Sequence, residues 1–186
     1  MTTVLRHRGP DHHATWQEGP AALGHRRLSI LDLSPRAHQP MASRDGRFVI
    51  VFNGEIYNFR ALRAELEQRG ERFDSDGDTE VVLSAFRRNG PRSFARLNGM
   101  FAFAVWDRSE RTLTLARDRF GQKPLYYARS GSGLVFGSEI KALLASQRVA
   151  RNVNWEAVEE FCFFGNALGT RTVSYTHLTL PTNREV

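Results

Sequence analysis

The chain has 186 residues, 41% of them hydrophobic, 25% charged and 11% aromatic; that suffices to bury the core of one ordinary globular domain and excludes two stacked catalytic domains. Its single cysteine excludes an internal disulfide framework and sets a reducing cytoplasm as the expected location, and no apolar run reaches the length of a membrane span. The formal charge of +6 comes from arginines scattered among 20 acids, without a basic run of four or a recognisable nucleic-acid module, so neither nucleic acid nor membrane is an expected partner.

The first fifteen residues read as polar and turn-like, and AALGHRRLSILDL at 21–33 reads as one or two short strands. Residues 48–52, FVIVF, form an unbroken apolar run, the pattern of a strand covered on both faces. Asn53-Gly54 follows as a turn signal. Asn58 is the expected cap of a helix marked by Phe59, Leu62 and Leu66 and closed by Gly70. Asp78 is the expected cap of a second, carrying Val81, Val82, Ala85 and Phe86 on one face and stopped by Gly90-Pro91. Short apolar segments at 100–106, 113–116, 125–128 and 134–136, separated by turn-rich stretches, predict four strands, and helices are predicted over 139–144 and from Asn154 to about Phe163. Strands, two helices, strands and peripheral helices make an α+β layered architecture rather than alternating βαβ units.

Polar residues concentrate at the ends of apolar segments in three places: His25-Arg26-Arg27-Leu28-Ser29-Ile30-Leu31, Asn53-Gly54-Glu55 and Asp76-Gly77-Asp78. Strand ends and helix starts hold side chains rigidly, which suits a binding site. Together they offer a planar arginine fork for a carboxylate, acids for an ammonium group, and an amide NH₂ beside a backbone N–H for a carbonyl oxygen. That is the chemistry of zwitterionic amino-acid recognition. Each residue alone also has a plain structural reading, as a turn, a surface arginine or a helix cap.

Eight blocks occur in order: HRGPD (7–11), GHRRLSILDLS (24–34), HQPM (38–41), FNGEIYNFRALRAEL (52–66), SDGDTEVVLSAF (75–86), LNGMFAFAVWD (97–107), RDRFGQKPLYY (117–127) and SEIKALL (138–144). In these the chain resembles the class II, N-terminal-nucleophile glutamine amidotransferase domain of glutamine-hydrolysing asparagine synthetases. The resemblance implies a four-layer αββα sandwich of the N-terminal-nucleophile hydrolase type, here expected to lack its first strand. It implies that Arg27 binds the glutamine α-carboxylate, with Leu28, Ile30 and Leu31 lining the pocket. Asn53 and Gly54 would supply an oxyanion hole, and Glu55 and Asp78 would hold the α-amino end. In that family a cysteine after the initiator methionine attacks the glutamine amide, and the ammonia passes to a synthetase domain of the same chain that activates aspartate with ATP and Mg²⁺. L-glutamine and that synthetase domain are thus the implied partners, a homodimer is a further possibility, and no cofactor or metal is expected in this domain.

This chain departs from the pattern by beginning Met-Thr-Thr and reaching HRGPD at residue 7, so the nucleophilic cysteine is expected to be absent. Thr2 is a poor substitute, because its five-residue separation from His7 spans only about 17 Å when fully extended. Cys162, among Phe161, Phe163 and Phe164, reads as a buried core residue. His7, His12 and His13 read as loop residues rather than metal ligands, and His25 and His38 as structural. The matched domain is placed at 1–173, with 174–186 an unstructured or foreign tail. The expected function is the glutaminase part of an asparagine synthetase. Its alternatives are a non-catalytic glutamine-binding module, or the amidotransferase part of a synthetase acting on another carboxylate.

Overall fold

The computed structural model describes residues 1–131, 133–165 and 178–179. A 3₁₀ segment, Thr2–Arg8, leads into a hairpin of β1 (His12–Glu18) and β2 (Ala21–Arg27). The central antiparallel sheet has the order β3 (Met41–Ala42), β4 (Phe48–Ile56), β5 (Gly99–Asp107), β6 (Thr112–Arg117). A second sheet has β7 (Tyr126–Ser130) between β8 (Gly133–Gly137) and the short β9 (Leu178–Thr179). The helices are α1 (Phe59–Gln68), α2 (Asp78–Asn89), α3 (Ile140–Leu144) and α4 (Trp155–Phe164).

Strand alternation builds the layers. In β4, Phe48, Ile50 and Phe52 join Phe101, Phe103 and Val105 of β5 against Leu62 and Leu66 of α1 and Val81, Val82 and Phe86 of α2. Val49 and Val51, with Ala102 and Ala104, face the other way and meet Leu23, Leu115 and Leu125. Beyond them Ala128 and Val135 of the second sheet pack on Leu143 of α3. Helices, sheet, sheet and helix make the expected α+β sandwich, and FVIVF is covered on both faces as its composition predicts.

Several local expectations change. Asn53-Gly54 is not a turn but lies within β4, paired with Ala102 and Phe101 of β5. Gly54 is required there by packing, since a Cβ would stand 2.3 Å from the Met100 carbonyl oxygen. Residues 28–33 do not form a second strand: Leu28, Ile30 and Leu33 are exposed in a loop. The opening stretch does contain a strand, β1, which among the described residues pairs with β2 alone and buries no residue fully, so its apolar pattern is too weak to read. Asp78 is the first residue of α2, after the cap at Gly77. Asn58 stands at the α1 cap but turns its side chain to the 96–98 segment, donating to the Arg96 carbonyl at 3.0 Å and accepting from the Asn98 N–H at 3.0 Å. The α1 C-terminus closes on Gly70 in a left-handed conformation, with Glu71 N–H returning to the Leu66 carbonyl.

Cys162 is exposed, not buried. Helix α4 buries only Ala157, and Trp155, Phe161, Phe163 and Phe164 stay exposed around the thiol because no described element packs over that face. In the segment expected as a tail, Leu178–Thr179 pairs with Tyr126 and Tyr127 of β7, while 166–177 and 180–186 lie outside the described residues.

Candidate functional site

The end of β4 opens between the hairpin and the α2 N-terminus into a cavity of 620 Å³. All eight residues singled out from the sequence line it: Arg27, Leu28, Ile30, Leu31, Asn53, Gly54, Glu55 and Asp78. A neighbouring cavity of 730 Å³ runs between the two sheets and shares Leu5, Gly24, His25, Phe52, Asn53 and Ser138 with the first.

Arg27 ends β2 and is 6% exposed. Its guanidinium donates to the Ser34 and Leu31 carbonyls, both at 3.2 Å, and to the Asp32 carbonyl. It therefore gathers the 28–34 loop around itself. HRGPD supports the same loop: Asp11 accepts the Ser29 N–H at 2.8 Å. Gly9 lies so close to the Arg26–Arg27 backbone that a Cβ would stand 2.4 Å from the Arg26 carbonyl carbon.

Asp78 is 5% exposed and accepts the Ile56 N–H at 2.9 Å, joining the start of α2 to the end of β4. Burial pushes its carboxyl up; N–H groups of Ile56, Asp78 and Thr79 work against that, and the nearby Glu55 adds to the rise. The Asp78–Glu55 pair thus concentrates negative charge that a cation would relieve. Asn53 and Glu55 have the same parity as Val49 and Val51 along β4 and so share the face toward the second sheet.

Sequence reasoning missed part of the wall. Gln39 is buried, accepting the Phe52 N–H at 2.6 Å and donating to Thr79 Oγ1 at 3.3 Å, which ties β4 to α2 beside the cavity. The HQPM block contained this residue without showing its role. Leu5, His7 and Arg8 of the 3₁₀ segment complete one side. His7 and Arg8 are fastened to Glu139, which also meets Lys141 at 2.9 Å. Burial would raise the Glu139 carboxyl, but hydrogen bonds from Lys141, Arg8 and His7 prevail and hold it at about 2. Lys123 enters from the 117–127 block. That loop is organised by Asp118, which is 1% exposed and accepts the N–H groups of Phe101, Phe120, Gln122 and Lys123.

His25 lines both cavities, and burial pushes its imidazole down to about 4. Nε2 donates to the Phe52 carbonyl at 3.0 Å, leaving Nδ1 a buried acceptor without a partner among the described residues. His12 stacks on His38, ring centroids 3.5 Å apart. Among the described residues no group of three or more His, Cys, Asp or Glu side chains is placed to hold a metal ion.

Two antiparallel sheets face to face between helices, with a cavity at the strand ends, give this chain the fold of the N-terminal-nucleophile amidotransferases. A solved structure of that kind, the glutamine phosphoribosylpyrophosphate amidotransferase of B. subtilis complexed with ADP and GMP, superimposes with a TM-score of 0.59 at 27% identity, covering 72% of this chain and 31% of that one. The sequence pattern of the glutamine amidotransferase domain matches residues 1–182, and the chain belongs to that family. It is 41% identical over 167 residues to asparagine synthetase [glutamine-hydrolyzing] 3 of Bacillus subtilis, covering 89% of this chain and 27% of the relative. It is 45% identical over 151 residues to a putative asparagine synthetase [glutamine-hydrolyzing] of Mycobacterium tuberculosis, covering 76% of this chain and 23% of that protein. The chain thus spans about a quarter of the length of these relatives.

Proposed function

We propose that this amidotransferase domain binds L-glutamine as the nitrogen donor of an asparagine synthetase. The observation that supports the reading best is the convergence of Arg27, Asn53, Gly54, Glu55 and Asp78, from separate elements, on one cavity. Arg27 serves the α-carboxylate, Glu55 and Asp78 the α-ammonium, and Asn53 with the Gly54 N–H the oxyanion that forms at the amide carbon during acyl transfer. Leu28, Ile30 and Leu31 cover the aliphatic stem. The ammonia released would be consumed by a synthetase domain that amidates aspartate, ATP and Mg²⁺ belonging to that domain.

Calorimetry with L-glutamine tests the binding. The wild-type chain should bind, and Arg27→Ala should weaken binding about 10- to 100-fold, the usual cost of losing a charge-assisted hydrogen bond. An absence of binding at millimolar glutamine would sink the reading. In a longer chain carrying a synthetase domain, Arg27→Ala should depress glutamine-dependent asparagine formation and spare the ammonia-dependent reaction.

A second reading, a module that binds glutamine without hydrolysing it, draws on one observation. Cys162, the chain's single cysteine, is exposed on α4 and lines neither cavity. Ammonia release from glutamine by a longer chain carrying a synthetase domain decides between the two.

A further inference from the structure

We infer that Asp32 is a positioning residue that couples the two ends of the amino-acid pocket, setting Arg27 and Asp78 in register with each other. The inference rests on the glutamine-binding reading above. Arg27 and Asp78 lie on elements 51 residues apart in sequence, and Asp32 stands between them in space.

Its backbone and side chain work in opposite directions. The Asp32 carbonyl, with those of Leu31 and Ser34, receives the Arg27 guanidinium. Its carboxylate turns the other way: Oδ1 accepts the Ser34 N–H at 2.9 Å, and Oδ2 accepts the Asp76 N–H at 2.7 Å. Asp76 is two residues before Asp78, so one carboxylate ties the arginine-bearing loop to the entry of α2. The 74–76 stretch is otherwise braced by Glu80, which accepts the Asp74 and Ser75 N–H groups, and by Arg63, which donates to the Ser75 carbonyl at 2.8 Å. Asp32 is the link from that braced stretch to the Arg27 loop.

The backbone shows what the arrangement demands. Asp32 has φ +43, in the left-handed region that costs most side chains but suits Asp, Asn and Gly. This conformation lets the carbonyl face Arg27 while the carboxylate reaches the other loop. Hydrogen bonds from Ser34 and Asp76 hold the carboxyl at about 2, so the bridge is ionised throughout the neutral range.

The choice of substitutions separates backbone from bridge. Asp32→Gly keeps φ and removes the carboxylate, and Asp32→Asn keeps φ and one acceptor oxygen. Binding is measured by calorimetry with L-glutamine, with γ-aminobutyramide (no α-carboxylate) and with glutaramate (no α-amino group). Asp32→Gly should weaken L-glutamine binding about tenfold, the loss expected when a charge-assisted contact is misplaced. It should also narrow the preference for L-glutamine over both analogues, because each end of the pocket is displaced. Asp32→Asn should fall between wild type and Asp32→Gly. A purely structural role predicts that Asp32→Gly, with φ preserved, binds as wild type, and that result overturns the inference. So does a narrowed preference against one analogue alone, which would tie Asp32 to a single end. If wild type itself fails to bind glutamine, the functional reading falls and takes the inference with it. If wild type binds and Asp32→Gly is unchanged, only the inference falls.

Discussion

Facing α1 and α2, the central sheet presents Phe48, Ile50, Phe52, Phe101 and Phe103; facing the second sheet it presents Val49, Val51, Ala102 and Ala104. On the first side the rings interlock, Phe94 edge-on to Phe103 at 5.0 Å and Phe48 edge-on to Phe86 at 5.5 Å. On the second side small residues leave the 730 Å³ cavity between the sheets. The difference assigns the work: the phenylalanine side fixes the strands, and the sparsely filled side leaves room at their ends for a site. Asn53 and Glu55 belong to the open side because they share the parity of Val49 and Val51 along β4.

The largest effect should follow from breaking the dense side. Phe103 is 2% exposed, and Phe103→Ala should cost about 4 kcal/mol in urea unfolding. Leu125 belongs to the sparser cluster that faces the second sheet, so Leu125→Ala should fall at the low end for such substitutions, about 2 kcal/mol. Equal losses would show that the two sides are equally committed to stability.

Next comes a pH dependence seated on the open side. The His25 imidazole lies at about 4 when folded against about 6.5 in an unfolded chain. Between those values the unfolded chain holds more protons, so stability rises with pH. His25 therefore contributes stability fully above 6.5 and loses it as pH falls toward 4, on the order of 3 kcal/mol across the window. Urea midpoints measured from pH 7 to 4 should fall, and His25→Gln should flatten the slope; an unchanged slope in the variant would assign it elsewhere. The smallest effect is expected on α4, where Phe163 is 84% exposed. Phe163→Ser should change the stability of this chain by less than about 0.5 kcal/mol.

Much of this was legible from residues alone. The FVIVF run announced a doubly covered strand, and the spacing of Phe59, Leu62 and Leu66 placed α1. Arginine, amide and carboxylate groups at segment ends hinted at an amino-acid site, and the eight site residues themselves were nominated by the resemblance to the amidotransferase family. Misreadings arose where a local signal met a nonlocal partner. Asn-Gly is a turn by propensity, yet β5 pairs through it and needs the missing Cβ of Gly54. A cysteine among phenylalanines is usually buried, yet nothing described covers that face of α4.

Sequence by itself determined the layered α+β class, the chemical character of the candidate pocket and the resemblance that the comparisons upheld, because periodicity, side-chain chemistry and motif order are properties of the chain. Tertiary structure decided that Arg27, Asn53 and Asp78 share one cavity, that Asp32 bridges two loops, and that His25 is pressed into its neutral form. Those outcomes depend on which distant backbone groups come within hydrogen-bond reach and how much water is removed around them, and neither quantity is written in local sequence.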